Sequence, residues 1–155
     1  MGKLDGKVAF VTGAGHGQGR SHAITLAKEG ADVIAVDIAE DISSIPYALS
    51  TKEELDETAQ LATVADVRDF EAIRGAVASG VAEFGDVDIV VANAGVIGAG
   101  KVDPTDVGLY RDIVNVNLNG VWHTIAATAP SIISKGRGGS IGSAARSGDS
   151  CGHAA

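Results

Sequence analysis

Apolar residues come in short blocks along this chain, and the length and period of each block predict an element. Val8-Ala9-Phe10-Val11 is uninterrupted and bounded by turn residues. It predicts a strand over residues 7–11 covered on both faces, as in a parallel sheet. Residues 18–29 follow as a helix with Ile24, Leu26 and Ala27 on its apolar side, closed by Gly30 in the capping position. Val33 to Val36 make a second buried strand, which ends at Asp37. Residues 38–51, IAEDISSIPYALST, are too polar and interrupted for a core element and read as a long loop marked by Pro46 and Tyr47. Thr51, with Glu54 completing a capping box, starts a helix that runs to about Gln60. Val64 falls in a third strand ending at Asp66, although no glycine or proline separates it from the preceding helix. A helix over about 69–84, closed by Gly85, carries Ile73, Val77, Val81 and Phe84 at helical spacing, which marks core.

Residues 87–92 predict a fourth strand with Ile89, Val90 and Val91 buried, ending in Asn93-Ala94-Gly95. A loop with Gly98 and Gly100 leads to a helix start near Pro104–Asp106. A long helix then runs from about Asp112 to Ser134. Its Leu118, Val121, Trp122, Ile125, Ala129, Ile132 and Ile133 form one stripe, and Pro130 predicts a kink because the Ala126 carbonyl loses its donor. From Gly136 onward there are six glycines and one branched aliphatic residue, Ile141, which predicts a loose tail rather than a buried strand.

The turn after the first strand carries Gly13, Gly15, Gly17 and Gly19. Glycine lets a backbone take positive φ and lets a phosphate approach closely. The spacing fits Thr12-Gly13-x-x-x-Gly17-x-Gly19. It does not fit Gly-x-Gly-x-x-Gly, because Gln18 or Arg20 stands where the third glycine belongs. The next helix, from about Gln18, points free N–H groups and its positive end back at the turn, a cradle for a dinucleotide pyrophosphate. A glycine-rich turn without a ligand is the alternative. The strand before, the helix after and the acid Asp37, 18 residues beyond Gly19, favour the ligand. Together they are the first half of a Rossmann fold. A carboxylate at Asp37 accepts hydrogen bonds from adenosine ribose hydroxyls and repels a 2′-phosphate, which selects NAD over NADP. The alternative there is a solvated loop acid.

Composition narrows the classes. A chain of 155 residues with 45% hydrophobic and 21% charged residues is one globular domain by size and content. Its net charge of -8 argues against nucleic acid and anionic membrane surfaces, which need a basic patch. No basic-then-apolar leader, no myristoylation pattern after Gly2 and no apolar run approaching ~18 residues are present, so no membrane association is expected. The one cysteine, Cys151, has no internal partner, and a cytoplasmic protein is the simplest expectation. His22 and His153 offer no metal-ligand spacing with each other or with Cys151, so no metal is expected.

The segments VAFVTGAGHGQGRSHA, GADVIAVDI, the SIPY loop, ADVRDF, DIVVANAG and NVNLNGVWHT resemble the short-chain dehydrogenase/reductases. Within that family they are most similar to the extended-loop subgroup of carveol dehydrogenases and mycofactocin-coupled enzymes. The resemblance covers about residues 4 to 141. It implies NAD as cofactor, a small alcohol or ketone as substrate, and hydride transfer with a tyrosine as general base and a lysine lowering its pKa. It implies that Thr12, Gly13, Gly17, Gln18 and Gly19 hold the cofactor's phosphates, Asp37 its adenosine ribose, and Asp66 with Val67 the adenine. Asn93, Ala94 and Gly95 tie the central strand to that site, and Asn117 holds a water in the proton relay. Read without the family, Asn93 satisfies strand-end backbone groups, and Asn117 and Asn119 are helix-start residues. His16 either touches phosphate or is a solvated turn residue, and His123 is structural.

Two departures from the family shape the expectations. The step into the third strand is about ten residues short, which puts that strand in question. The Tyr-x-x-x-Lys pair is absent: four residues beyond Tyr47 is Thr51, and four beyond Tyr110 is Val114. Ser143 stands near the place of the family's serine, but from Gly142 the chain departs as a frameshifted or truncated reading would. The expected fold is an α/β doubly wound parallel sheet of order 3-2-1-4, incomplete beyond the fourth strand. Residues 1–135 form the NAD-binding domain and 136–155 the tail. An open fourth strand and an uncovered helix stripe predict a homo-oligomer. The expected function is the cofactor half of an NAD-dependent oxidoreductase. A non-catalytic dinucleotide- or partner-binding fragment is the alternative, and a product without function is a third reading.

Overall fold

In the computed structural model, residues 2–98, 103 and 105–144 are described. The expectations for Gly100, Pro104, Cys151 and His153 lie outside them. The sheet is parallel, in the order β3-β2-β1-β4-β5. Its strands are β1 (Val8–Thr12), β2 (Asp32–Asp37), β3 (Leu61–Val64), β4 (Ile89–Ala92) and β5 (Ser140–Ser143). The helices between them are α1 (Gly17–Lys28), α2 (Lys52–Asp56), α3 (Phe70–Phe84), α4 (Val107–Val114) and α5 (Gly120–Ser134).

Two cores follow from the period-2 alternation of the central strands. Val8 and Phe10 of β1 and Ile34 and Val36 of β2 pack with Ile73 and Val77 of α3 and Ile132 of α5. Ala9, Val11, Val33 and Ala35 face the other way, onto Ala23 of α1 and Leu55 of α2. The second core is built from small residues, so α1 lies close to the sheet. Its buried positions are Gly19 and Ala23, whereas Ala27 faces solvent.

β3 forms and pairs with β2 from Ile34↔Leu61 to Asp37↔Val64. The connection was hidden because α2 stops at Asp56 rather than near Gln60, and residues 57–60 make the turn into the strand. The Thr51–Glu54 capping box is formed. Asp69 caps α3 by accepting from the N–H groups of Glu71 (2.9 Å) and Ala72 (3.1 Å).

The stretch from Val107 to Ser134 is helical throughout, with a π-helical turn at Asn115–Asn119 between α4 and α5. Asn117 and Asn119 therefore sit in a mid-helix π-turn and not at a helix start. The buried face of α5 is Gly120, Thr124, Thr128 and Ile132. Each threonine hydroxyl donates to a carbonyl one turn back, Gly120 at 2.8 Å and Thr124 at 2.7 Å, which leaves its methyl to pack. Most of the apolar stripe lies elsewhere on the helix: Leu118, Trp122 and Ile133 are 65%, 62% and 74% exposed.

The order 3-2-1-4 is present, and β5 extends it where a loose tail was expected. β5 is held by backbone pairing, not burial: all its residues are exposed, and it runs in register with β4 from Ile89↔Ser140 to Ala92↔Ser143. β4 is thus covered, and the open edge moves to β5. Gly136 (φ 65°) and Gly138 (φ 74°) turn the chain from α5 into it. Asp88 anchors that turn. Its carboxylate accepts from the Val8 N–H (3.0 Å) and pairs with Lys135 (3.0 Å), Arg137 (3.3 Å) and Lys7 (3.4 Å).

Candidate functional site

The carboxyl ends of β1, β2, β3 and β4 open onto one cleft. This is where open parallel sheets bind ligands. Its floor is Gly13, Gln18 and His16 after β1. Asp37 and Ile38 follow β2, Asp66 and Val67 follow β3, and Asn93, Ala94 and Gly95 follow β4.

The glycine turn has the shape the sequence implied. Gly13 takes φ 67°, and a Cβ on it would stand 2.8 Å from both Ala94 Cα and Asn93 Nδ2. A Cβ on Gly19 would stand 1.9 Å from the Gly13 carbonyl oxygen, so only glycine lets α1 start this close to the turn. Gly17, at φ 58°, has open space where its Cβ would be. The helix cap is the informative feature. Thr51, Asp69 and Asp106 each cap a helix with a side-chain acceptor. At α1 the capping residue His16 is extended, makes no side-chain cap, and no acid stands in the first turn. The first N–H groups of α1 are left for an anion.

Asp37 is buried at the end of β2, and its Oδ2 accepts the Gly15 N–H at 2.9 Å. That bond fixes the acid to the glycine turn and leaves lone pairs on the carboxylate. Ser50 packs behind it, where a Cβ on Gly15 would stand 2.4 Å from Ser50 Oγ. Asp66 faces the cleft from beyond β3. It accepts the Arg68 N–H (2.8 Å) and pairs with the Arg68 guanidinium (2.7 Å), which also reaches Asp112 (2.9 Å). The hydrogen bond to Asp66 outweighs desolvation, and with Asp112 it raises the already high Arg68 pKa further.

The asparagines are structural ties. Asn93 Nδ2 donates to the carbonyls of Thr12 (3.1 Å) and Gly13 (3.2 Å), and Thr12 Oγ1 accepts the N–H groups of Asn93 (3.1 Å) and Ala94 (3.2 Å). This is strand-end satisfaction, and it joins β4 to the glycine turn at the same time. Asn117 Oδ1 accepts the Val96 N–H and Nδ2 donates to the Val96 carbonyl, each at 2.8 Å. Its side chain holds the loop after β4. Ser143 ends β5 beside Ala92, at the same edge of the sheet.

Residues 38–51 contribute more than a polar loop. Ile42 and Ile45 are buried in the larger core, and Ile38, Ile42 and Leu49 line the cleft. Tyr47 Oη accepts the Ile97 N–H (3.0 Å), and Ser44 Oγ donates to Asp112 (2.6 Å). The apolar residues at 42, 45 and 49 were the available signal: their i, i+3, i+7 spacing matches one helix face, but Pro46 among them interrupts a helix. Among the described residues no group of three or more potential ligands could hold a metal ion, and no helix is long and apolar enough to cross a membrane.

Comparison with known proteins agrees with this geometry. A short-chain type dehydrogenase/reductase of Mycolicibacterium smegmatis is 50% identical over 153 residues, covering 90% of this chain and 54% of that protein. The (-)-trans-carveol dehydrogenase of Rhodococcus erythropolis is 45% identical over 152 residues, covering 91% and 54%. The crystal structure of carveol dehydrogenase from Mycobacterium avium in complex with NAD superposes with a TM-score of 0.87 at 48% identity, covering 92% of this chain and 55% of that one. The chain thus spans about half the length of the curated relatives it matches. The family profile for short chain dehydrogenase matches residues 7–145, and with the sheet order and glycine turn this establishes that the chain belongs to the short-chain dehydrogenase family.

Proposed function

We propose that this chain binds NAD in the cleft at the carboxyl ends of β1 to β4, as the cofactor-holding part of a secondary alcohol–ketone oxidoreductase. The observation that carries the reading is the uncapped start of α1 over an open glycine turn, with a buried acid at the end of the next strand. Gly13, Gly17, Gln18 and Gly19 would hold the pyrophosphate through backbone N–H groups. Asp37 would accept from the adenosine ribose, and Asp66 and Val67 would border the adenine. Thr12, Asn93, Ala94 and Gly95 keep the floor rigid beneath it. NAD, when bound, supplies the hydride-accepting ring. Asn117 would act by fixing the loop at Val96. Its similarity to carveol dehydrogenases supports a small secondary alcohol as substrate.

Two wider expectations belong to the same reading. The exposed Leu118, Trp122 and Ile133 support self-association into a homo-oligomer, and the single cysteine and acidic charge support a cytoplasmic setting. A second reading, dinucleotide binding without turnover by this chain, is favoured by the absence of a lysine four residues beyond either tyrosine. Calorimetric titration with NAD tests the core of the proposal. Saturable one-site binding is expected. A flat titration at millimolar cofactor with folded protein would refute it.

A further inference from the structure

We infer that His123 is a positioning residue for the adenine end of this cleft and acts on Asp66 through one peptide plane. The inference rests on the cofactor reading above. His123 lies on α5, on the helix row next to the buried threonines, and its Nδ1 is 2.7 Å from the Val67 carbonyl oxygen. A carbonyl only accepts, so Nδ1 carries the proton and donates. The same peptide unit contributes the Arg68 N–H, which donates to Asp66 Oδ1 at 2.8 Å. A peptide group is planar, so its C=O and N–H turn together. His123 holds one end of the plane and the Asp66 carboxylate takes the other.

The approach of α5 is set by glycine. A Cβ on Gly120 would stand 2.6 Å from Val67 Cγ2, so Gly120 seats the Val67 side chain while His123, one turn on, takes its carbonyl. The imidazole packs in a cluster of three rings with Phe70 (centroids 5.5 Å apart) and Trp122 (5.6 Å), which also touch each other (5.9 Å). Arg68 restrains Asp66 from the other side and is itself tied to Asp112. Without the His123 donor the peptide is free to rotate and the Arg68 N–H leaves Asp66. The carboxylate is then held by the Arg68 side chain alone and loses the second bond that fixes its place at the cleft wall. Val67 and Asp66 both line the cleft, and His123 does not, so its effect reaches the ligand only through them.

The test compares wild type, His123→Asn and His123→Leu, titrated with NAD and with AMP by calorimetry. The Asn Nδ2 is attached at the same branch point as Nδ1 and keeps a donor; Leu keeps the bulk and loses it. His123→Leu is expected to weaken both ligands by the same factor, about tenfold for the loss of one such bond, and His123→Asn to restore most of it. Far-ultraviolet circular dichroism and the thermal melt verify folding, and ¹⁵N NMR of the wild-type ring should show the Nδ1–H tautomer. Leu binding as tightly as wild type, Asn as weak as Leu, or an Nε2–H tautomer each overturns the inference while leaving the cofactor reading in place. Wild type that binds neither ligand overturns both.

Discussion

Replacing Asp37 by Asn should remove most of the discrimination between NAD and NADP without unfolding the glycine turn. Asp37 is 8% exposed and accepts the Gly15 N–H at 2.9 Å, so alanine would strand a buried donor at a cost of about 1–3 kcal/mol. Asparagine keeps an acceptor in place and removes only the charge. Two unit charges ~4 Å apart at an effective dielectric of ~20 repel by ~4 kcal/mol, and ~6 Å apart at ~40 by ~1.4 kcal/mol. A 2′-phosphate beside a half-screened carboxylate falls between these limits, so wild type should prefer NAD by about 10²-fold. In Asp37→Asn the preference should shrink to within about tenfold, with NAD itself weakened less than NADP is strengthened. Calorimetry with both cofactors on both proteins reads this directly. Equal or tighter NADP binding by wild type, or an unchanged ratio in the variant, would show that Asp37 does not face the ribose.

Acid stability should depend on Asp88. Burial alone would raise its pKa, but the Val8 N–H, Lys135 and Lys7 outweigh that and hold it below the ordinary aspartate value. A carboxyl depressed in the folded state contributes fully above its unfolded value of about 4 and loses that contribution as pH falls through the folded one. Asp88→Asn should therefore lower the melting temperature at pH 7 and flatten its decline below pH 4; parallel acid limbs would contradict this. The chain should self-associate through α5, and Leu118→Glu with Ile133→Glu should shift light scattering toward monomer; a wild-type monomer at high concentration would count against it. This chain should bind cofactor without oxidising secondary alcohols, because neither tyrosine has a lysine four residues on to make it a base. NADH formation that survives stringent purification and disappears in Asn117→Ala would contradict this.

How much of the site was legible depends on how local its cause is. The glycine turn, Asp37, Asp66 and the Asn93-Ala94-Gly95 end were readable because strand–turn–helix geometry places them within a few residues of the element they terminate. Their convergence follows from parallel strands alone, since every carboxyl end comes out at the same edge. The sequence also determined both faces of β1 and β2 through their alternation, and the caps at Thr51 and Asp69 through side chains that act within three residues.

Only the tertiary structure decided what depends on satisfied polar groups. Thr124 and Thr128 join the buried face of α5 because their hydroxyls bond back along the helix, whereas Leu118, Trp122 and Ile133 of the more hydrophobic stripe face solvent. β5 exists because its backbone pairs with β4 and Asp88 gathers Lys7, Lys135 and Arg137, none of which a hydropathy pattern registers. Residues 38–51 join the core because Ser44 and Tyr47 tether them to α4 and to Ile97, contacts 68 and 50 positions away in the chain. His123 meets Val67 across 56 positions. Long-range hydrogen bonds leave no periodic trace in the chain, because their spacing is set by how helices and strands pack and not by the repeat of either.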